Sequence, residues 1–287
     1  MCVDIIARTG GPVSEGSDTD AEIRTAGGGA GGNVAAWLAS LGVPVTLVAR
    51  VGDDAAGRSQ AAELAGYGVR CAFTADPDAA TGTIVVLVGA DGERTMLADR
   101  GANLRLSAAD LPASLPAGGH LHLSGYTLLH DGPRAAGLAA LRRASAAGLT
   151  TSIDPASVAP LAATGPAAFL AWTSGVDLLL PNLPEARLLS NRTDPVDAAR
   201  TLASHYRAVA VTLGPDGALW AAGDTVVHLP AGPGDTFSAG PLDTTGAGDA
   251  FSAGLLAAWL AGADGPAAVR RGLTLAATAV ARLGARP

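Results

Sequence analysis

Seven residues, Asp243-Thr244-Thr245-Gly246-Ala247-Gly248-Asp249, run directly into AFSAGLLAAWLAG. Phe251, Leu255, Leu256 and Trp259 fall at helical spacing, so a helix is predicted to begin at Ala247 or Gly248. The first turn of a helix carries unpaired N–H groups and a partial positive charge, and glycines there leave an anion free to approach. Amides so arranged stabilise the oxygens of a transferring phosphoryl group without reorganising. Asp249, just inside that turn, would repel a bound phosphate unless it has a task such as taking the proton of an attacking hydroxyl. The competing account is a plain capping acid, worth about 0.5–1 kcal/mol. Two glycines, two threonines and two aspartates within seven residues favour chemistry.

A second glycine cluster, Gly27-Gly28-Gly29-Ala30-Gly31-Gly32, satisfies the dinucleotide pattern G-x-G-x-x-G, with Asp53 or Asp54 placed to serve a ribose. That pattern also requires a buried strand ahead of the glycines, and Glu22-Ile23-Arg24-Thr25-Ala26 is short and charged. Asn33, next to this cluster, can donate and accept at once, which suits a vicinal diol. Asn182-Leu183-Pro184-Glu185 follows the apolar run DLLL; taken alone, it reads as a helix cap. Val211-Thr212-Leu213-Gly214, with Gly217 beyond, is an ordinary strand-to-turn sequence on its own terms. His120 and His122 flank Leu121 and point to one face of a strand, with no third metal ligand near in sequence.

The elements that must position these residues follow a βαβ rhythm. Strands are predicted at 45–51, 120–124, 149–153, 177–181 and 208–213, and helices at 33–41, 55–66, 133–147, 194–206, 248–261 and 265–282. Continuously apolar strands indicate burial on both faces, as in a parallel sheet covered by helices, so the fold class is a doubly wound, three-layer α/β domain. Segments 21–26 and 81–98 break the rhythm: Thr83–Val88 and Arg94–Ala98 read as a hairpin turning at Gly89–Glu93. Such a β element is suited to be a lid that excludes water.

Composition excludes several classes. All 19 basic residues are Arg, which removes P-loop, protein-kinase and Schiff-base lysines from consideration. A formal charge of -7 gives no footprint for nucleic acid or anionic membrane. Cys2 and Cys71 are too few for a disulfide framework or zinc cluster. The start MCVDIIARTGG lacks the marks of a secretory signal, and the uncharged stretch 155–176 is broken by Pro160, Gly165 and Pro166, so a cytoplasmic location is expected.

DTTGAGDAFSAG at 243–254 and GGGAGGNVAAWLASLG at 27–42 resemble the two signatures of the ribokinase-like (phosphofructokinase-B type) carbohydrate kinases, and smaller matches between them extend the resemblance over nearly the whole chain. It implies a ribokinase-like three-layer α/β/α sandwich, a single domain over 1–287 with β-lid segments at about 17–28 and 81–100. It further implies ATP-dependent transfer of the γ-phosphoryl group to a primary hydroxyl of a sugar or sugar-like substrate. In that scheme Asp249 is the base and the amides of Gly246, Ala247 and Gly248 form the anion hole. Asp4, Gly28, Gly29 and Asn33 bind acceptor hydroxyls. Asn182, Thr212, Gly214 and Gly217 serve the nucleotide, and Glu185 serves magnesium through water. Asp243 and Thr245, with carbonyls near Gly284, offer a monovalent-cation site for potassium.

Family members carry a further strand and a Gly-Asp pair ahead of the aspartate that Asp4 resembles, which predicts a true start upstream of Met1. Ser124 and Gly125 fall where relatives contact substrate, and neither supplies the carboxylate that ribokinase presents there. A nucleoside such as pseudouridine is the alternative acceptor, although 4 Trp, 3 Tyr and 4 Phe offer little for stacking on a base. The readings of another class are a dinucleotide-dependent oxidoreductase built on residues 27–54 and a catalytically silent sensor of the same fold. Lid strands suited to pair between subunits predict a homodimer.

Overall fold

The computed structural model describes residues 1–89, 94–232, 245–282 and 284–287. The amino-terminal part runs β1 (Cys2–Thr9), β2 (Ala21–Gly28), α1 (Ala30–Ser40), β3 (Thr46–Gly52), α2 (Ala55–Gly66), β4 (Arg70–Asp76), β5 (Gly82–Val88) and β6 (Arg94–Asp99). Then come β7 (His120–Ser124), α3 (Tyr126–Leu129), α4 (Asp131–Ala146), β8 (Thr150–Asp154), α5 (Val158–Thr164), α6 (Pro166–Trp172), β9 (Leu178–Leu179), α7 (Leu183–Ser190), α8 (Pro195–Ala203) and β10 (Ala208–Thr212). The hairpin β11 (Ala218–Ala222) and β12 (Thr225–Leu229) precedes α9 (Ala247–Leu260) and α10 (Gly265–Val280).

The main sheet has the order β12-β11-β10-β9-β8-β7, in which β7 to β10 are mutually parallel and β11 and β12 antiparallel. Alternation along each strand divides its side chains between two cores. Leu178, Ala208 and Ala210 face Phe251, Leu255, Leu256 and Val269 of α9 and α10. Leu179, Val209 and Val211 face Leu161, Phe169, Leu189 and Leu202 of α5 to α8. Each fully buried Leu or Phe here contributes about 1.5–3 kcal/mol of transfer free energy. Helix starts follow from local chemistry: Asp264 caps α10 by accepting from the Ala267 N–H at 2.8 Å, with Pro266 in the first turn. Asp194 caps α8 in the same way at 2.9 Å. The predicted three-layer α/β/α arrangement is the one observed.

Two features of the strands differ from expectation. β9 is shorter than the predicted 177–181, because Pro181 has no N–H to continue the ladder. The strand predicted at 45–51 is β3, and it forms a separate parallel pair with β4, which was not predicted, instead of joining the main sheet.

A four-stranded sheet of order β2-β1-β5-β6 contains the predicted hairpin, with Val88 opposite Arg94. Its turn at Gly89–Glu93 falls largely outside the described residues. The sheet is larger than the two lid segments alone, because β1 pairs antiparallel with β2 and parallel with β5. Asp4 interrupts the apolar alternation of β1, which hid that strand in the sequence. Among the described residues, no helix is long and apolar enough to cross a membrane.

Candidate active site

The carboxyl ends of the parallel strands, and the starts of the helices that follow, converge with α9 and the amino-terminal glycines. Gly246 caps α9 with φ 77°, a left-handed conformation that glycine adopts without strain. A Cβ there would also fall 2.7 Å from the Cα of Ala285, so glycine is required by both backbone and packing. The Ala250 N–H closes the first helical bond to the Gly246 carbonyl at 2.8 Å, which leaves the N–H groups of the first turn outside the helix ladder. A Cβ on Gly248 would meet no described atom within 4 Å.

Asp249 projects from this turn and meets Asn33, from α1, whose Nδ2 donates to Oδ2 at 2.8 Å. The two residues are 216 positions apart, and Asn33 is buried. Burial pushes the Asp249 carboxyl up to about 7; Asp154 and Asp4 add to the rise, while the Asn33 bond and Arg286 oppose it. A carboxylate titrating near neutrality suits a general base. Asp4, on β1, is buried, and a Cβ on Gly28 would collide with its carboxylate. Gly29 caps α1 at φ 88° against the backbone of Met1 and Cys2. Gly28 and Gly29 thus answer packing demands of the chain itself.

On the main sheet, Asn182 and Glu185 form a reciprocal cap of α7. The Glu185 N–H donates to Asn182 Oδ1 at 2.9 Å, and the Asn182 N–H donates to Glu185 Oε2 at 3.0 Å. Asn182 bridges Thr212 at the end of β10, and Gly214 and Gly217 shape the turn that follows at φ 63° and 92°. These residues are therefore together at one sheet end, as open α/β sites require. Thr245 lies in the turn entering α9, and Asp243 lies outside the described residues.

Asp154 was not singled out in the sequence. It ends β8 opposite Ser124 of β7 and accepts from the Ala156 N–H at 2.7 Å, with Ala156 held at φ 77°. Burial raises its carboxyl above the usual range, and burial followed by the Asp154 charge raises Glu185 as well. The signal was an acid placed directly at the carboxyl end of a buried strand, one residue past the predicted boundary. Arg286, beside Asn33, was missed as well, and no local pattern marks it.

The histidine pair resolves as internal packing. His120 and His122 both reach Ser152 Oγ, at 2.7 and 2.8 Å, and burial pushes them down to about 4 and about 3. The dinucleotide reading loses its geometry. The strand before the glycines is antiparallel to β1, and Asp54 is engaged with the Gly57 N–H at 2.7 Å and Thr81 Oγ1 at 2.7 Å. Asp53 pairs with Arg58 in solvent.

The family model for pfkB family carbohydrate kinases matches residues 1–287. An ATP-dependent ribose-1-phosphate kinase of Halopiger xanaduensis is 32% identical over 282 residues, 96% of this chain and 87% of that protein. A fructokinase of Vibrio alginolyticus is 35% identical over 131 residues, 45% of this chain and 42% of the fructokinase. The solved structure of adenosine kinase from Sinorhizobium meliloti superposes with a TM-score of 0.85 at 27% identity, covering 100% of this chain and 93% of that one. The fold and this site define an α/β phosphotransferase, and the chain belongs to the pfkB family of carbohydrate kinases. Its reaction class is ATP-dependent phosphorylation of a sugar- or nucleoside-type hydroxyl.

Proposed function

We propose that this protein transfers the γ-phosphoryl group of ATP to a primary hydroxyl of a sugar or sugar-like acceptor, with a nucleoside as the second acceptor class. The observation that carries this reading is Asp249, with its carboxyl at about 7, standing beside first-turn amides and bonded to Asn33 at 2.8 Å. The acceptor hydroxyl donates to Asp249; as its oxygen bonds to the γ-phosphorus, the bond from that phosphorus to the departing ADP oxygen breaks. The proton stays on Asp249, and the amides of Gly246, Ala247 and Gly248 hold the equatorial oxygens. Asp4, Gly28, Gly29 and Asn33 line the acceptor side, while Asn182, Thr212, Gly214 and Gly217 line the nucleotide side. The four-stranded sheet serves as lid to one domain spanning 1–287, and Thr245 with Asp243 would hold potassium.

The donor chemistry near α7 fits magnesium. Asp154 and Glu185 are oxygen donors whose carboxyls are raised by burial, and the charge of Asp154 adds to the rise at Glu185. Magnesium typically takes one or two carboxylates and fills its shell with waters and phosphate oxygens. When bound, the ion neutralises phosphate charge; Glu185 would hold it through water, with Asp154 alongside.

A homodimer through the lid is favoured by one face of the four-stranded sheet. Ile5, Val85 and Leu97 are cross-strand neighbours there, and Ile23, Ala7 and Leu87 form the next row. Ile23 and Leu97 are 65% and 56% exposed, so the row ends without cover among the described residues. Cys2 and Cys71 are free thiols, which fits the cytoplasm.

The test is a coupled ATP assay across sugars and nucleosides, run with Gly248→Ala alongside the native protein. A methyl at that position meets no described atom within 4 Å, so the fold is expected to hold. Turnover is expected to drop by roughly tenfold or more, because the methyl blocks the phosphate approach. A variant as active as the native protein would mean that no phosphoryl group docks on these amides.

A further inference from the structure

Arg286 enters the wall behind the acceptor side from the far end of the chain. Its side chain is only 5% exposed. Nε donates to Asn33 Oδ1 at 3.3 Å, and Nη2 donates to the Gly28 carbonyl at 3.0 Å and to Gln60 Oε1 at 2.7 Å. Nη1 stands 2.9 Å from Glu63 Oε1, within ionic reach but without the alignment of a hydrogen bond. The bed for this side chain is built into the glycine cluster. A Cβ on Gly27 would collide with Nη1, and one on Gly32 would fall 3.0 Å from Nη2. The backbone around Arg286 is pinned as well, since Trp37 Nε1 donates to the Ala285 carbonyl at 3.0 Å and Tyr67 donates to the Pro287 carbonyl at 2.8 Å.

These contacts decide how the Asn33 amide is turned. With Oδ1 taken by the guanidinium, Nδ2 is the end left for Asp249, which it reaches at 2.8 Å. The flipped amide would set N–H groups against a donor and an oxygen against a carboxylate, replacing two attractions by two repulsions. The charged groups that act on Asp249 are Asp4 on β1, Asp154 at the end of β8 and Arg286; from α1 it receives the Asn33 amide. Glu63 on α2 faces the guanidinium from its other side.

We propose that Arg286 is a positioning residue for phosphoryl transfer: it fixes the Asn33 amide so that its N–H faces Asp249, and it holds a cation behind that carboxylate. The proposal rests on the reading of Asp249 as the base. It gives Gly27 and Gly32 of the N-terminal glycine cluster the task of housing this arginine.

The test measures kcat and KM against pH for the native protein, Arg286→Lys, Arg286→Met, Asn33→Ala and the double variant. Arg286→Met is expected to lose roughly 10- to 100-fold in kcat with little change in KM for ATP. Its acid limb should rise by about half a unit to one unit, because the nearby cation is gone. Arg286→Lys should keep the limb near its native place and recover part of kcat. On the plateau above the acid limb, the double variant should be about as impaired in kcat as Asn33→Ala alone, since there Arg286 acts through Asn33.

An unmoved limb in Arg286→Met, or additive losses of plateau kcat in the double variant, would overturn the proposal. Should Arg286→Met fail to fold, Glu63→Gln serves instead. It leaves the guanidinium in place without its counter-ion, so the acid limb should fall, and a rise or no movement would count against the role. Asp249→Asn keeps the two claims apart. If that variant stays active, the base assignment fails; if it is inactive while Arg286 variants keep the native pH profile, only the Arg286 role fails.

Discussion

Asp249→Asn separates the cost of holding a charge at the start of α9 from the use of that charge. Burial, with Asp154 and Asp4 nearby, raises this carboxyl from 3.8 to about 7. A carboxyl whose folded pKa exceeds its unfolded one destabilises the fold as it ionises. The loss is absent below the unfolded value near 3.8, grows between the two values, and is complete above about 7. At 1.36 kcal/mol per pKa unit the full difference is about 4 kcal/mol, and the residual exposure of the side chain brings it to about 2–4 kcal/mol. The substituted amide carries no charge and still offers an oxygen to Asn33, so the variant should be more stable by about that amount at about pH 8.5 and equal to the native protein near pH 4. With an unfolding entropy of about 2.1 cal/mol/K per residue, a gain of about 3 kcal/mol raises Tm by about 5 °C in a chain of 287 residues. Calorimetry at the two pH values reads the difference, and turnover should fall by roughly 10² to 10⁴-fold. A variant less stable than the native protein at the higher pH, or stabilised equally at both, would refute the electrostatic account; preserved turnover would remove Asp249 from the chemistry.

The neighbours of Asp249 should move its titration in opposite directions. Asn33→Ala removes a bond that favours the charged form, so the acid limb of kcat/KM should rise; Asp154→Asn removes a like charge, so it should fall, each by about half a unit to one unit. Identical shifts in both variants would contradict the assignment. Leu97→Glu with Ile23→Glu sets charges on the exposed ends of the apolar rows of the four-stranded sheet, and light scattering should report a dimer for the native chain and a monomer for the variant. An unchanged mass would place any dimer contact elsewhere. Between ribose and ribose 1-phosphate offered as acceptors, the neutral sugar should show the higher kcat/KM by roughly tenfold or more; the reverse order would show that a cation near the acceptor had been overlooked.

The parts of the fold that were legible in the sequence are those with local causes. β10 reads as a buried strand because Ala208–Val211 is apolar on both faces, and α9 because Phe251, Leu255 and Leu256 repeat at helical spacing. The Gly246–Asp249 turn was legible for the same reason, since its backbone and its chemistry lie in consecutive residues. β1 was not, because Asp4 occupies a buried position that an apolar residue would otherwise fill. The strand predicted at 45–51 was expected to belong to the main sheet, but as β3 it pairs with β4, a strand not predicted from the sequence; strand composition alone carries no information about which neighbour a strand finds. Asp154 needed only a one-residue extension of its strand. Arg286 could not have been reached that way: its partners Gly28, Asn33 and Gln60 lie 226 to 258 positions away.

The charge pattern of the site argues for an uncharged acceptor. Asp4, Glu185 and Asp249 are acids at or beside this end of the sheet, and Asp154 acts on both Glu185 and Asp249. The chain has no lysine to offset them. Arg286 is committed to Gly28, Gln60 and Glu63, and Arg100 lies over the Tyr126 ring with its guanidinium carbon 4.4 Å from the centroid. Carboxylates bind hydroxyls well as acceptors and bind phosphate only through an intervening cation. A polyhydroxylated acceptor can therefore occupy the Asp4 side directly. On the proposed reading, the nucleotide's phosphates would be served by helix amides and, through magnesium, by the oxygen donors at α7. The proposed division of labour matches the residue types: acids where hydroxyls would be held and deprotonated, bare main-chain N–H groups where the phosphoryl group would pass.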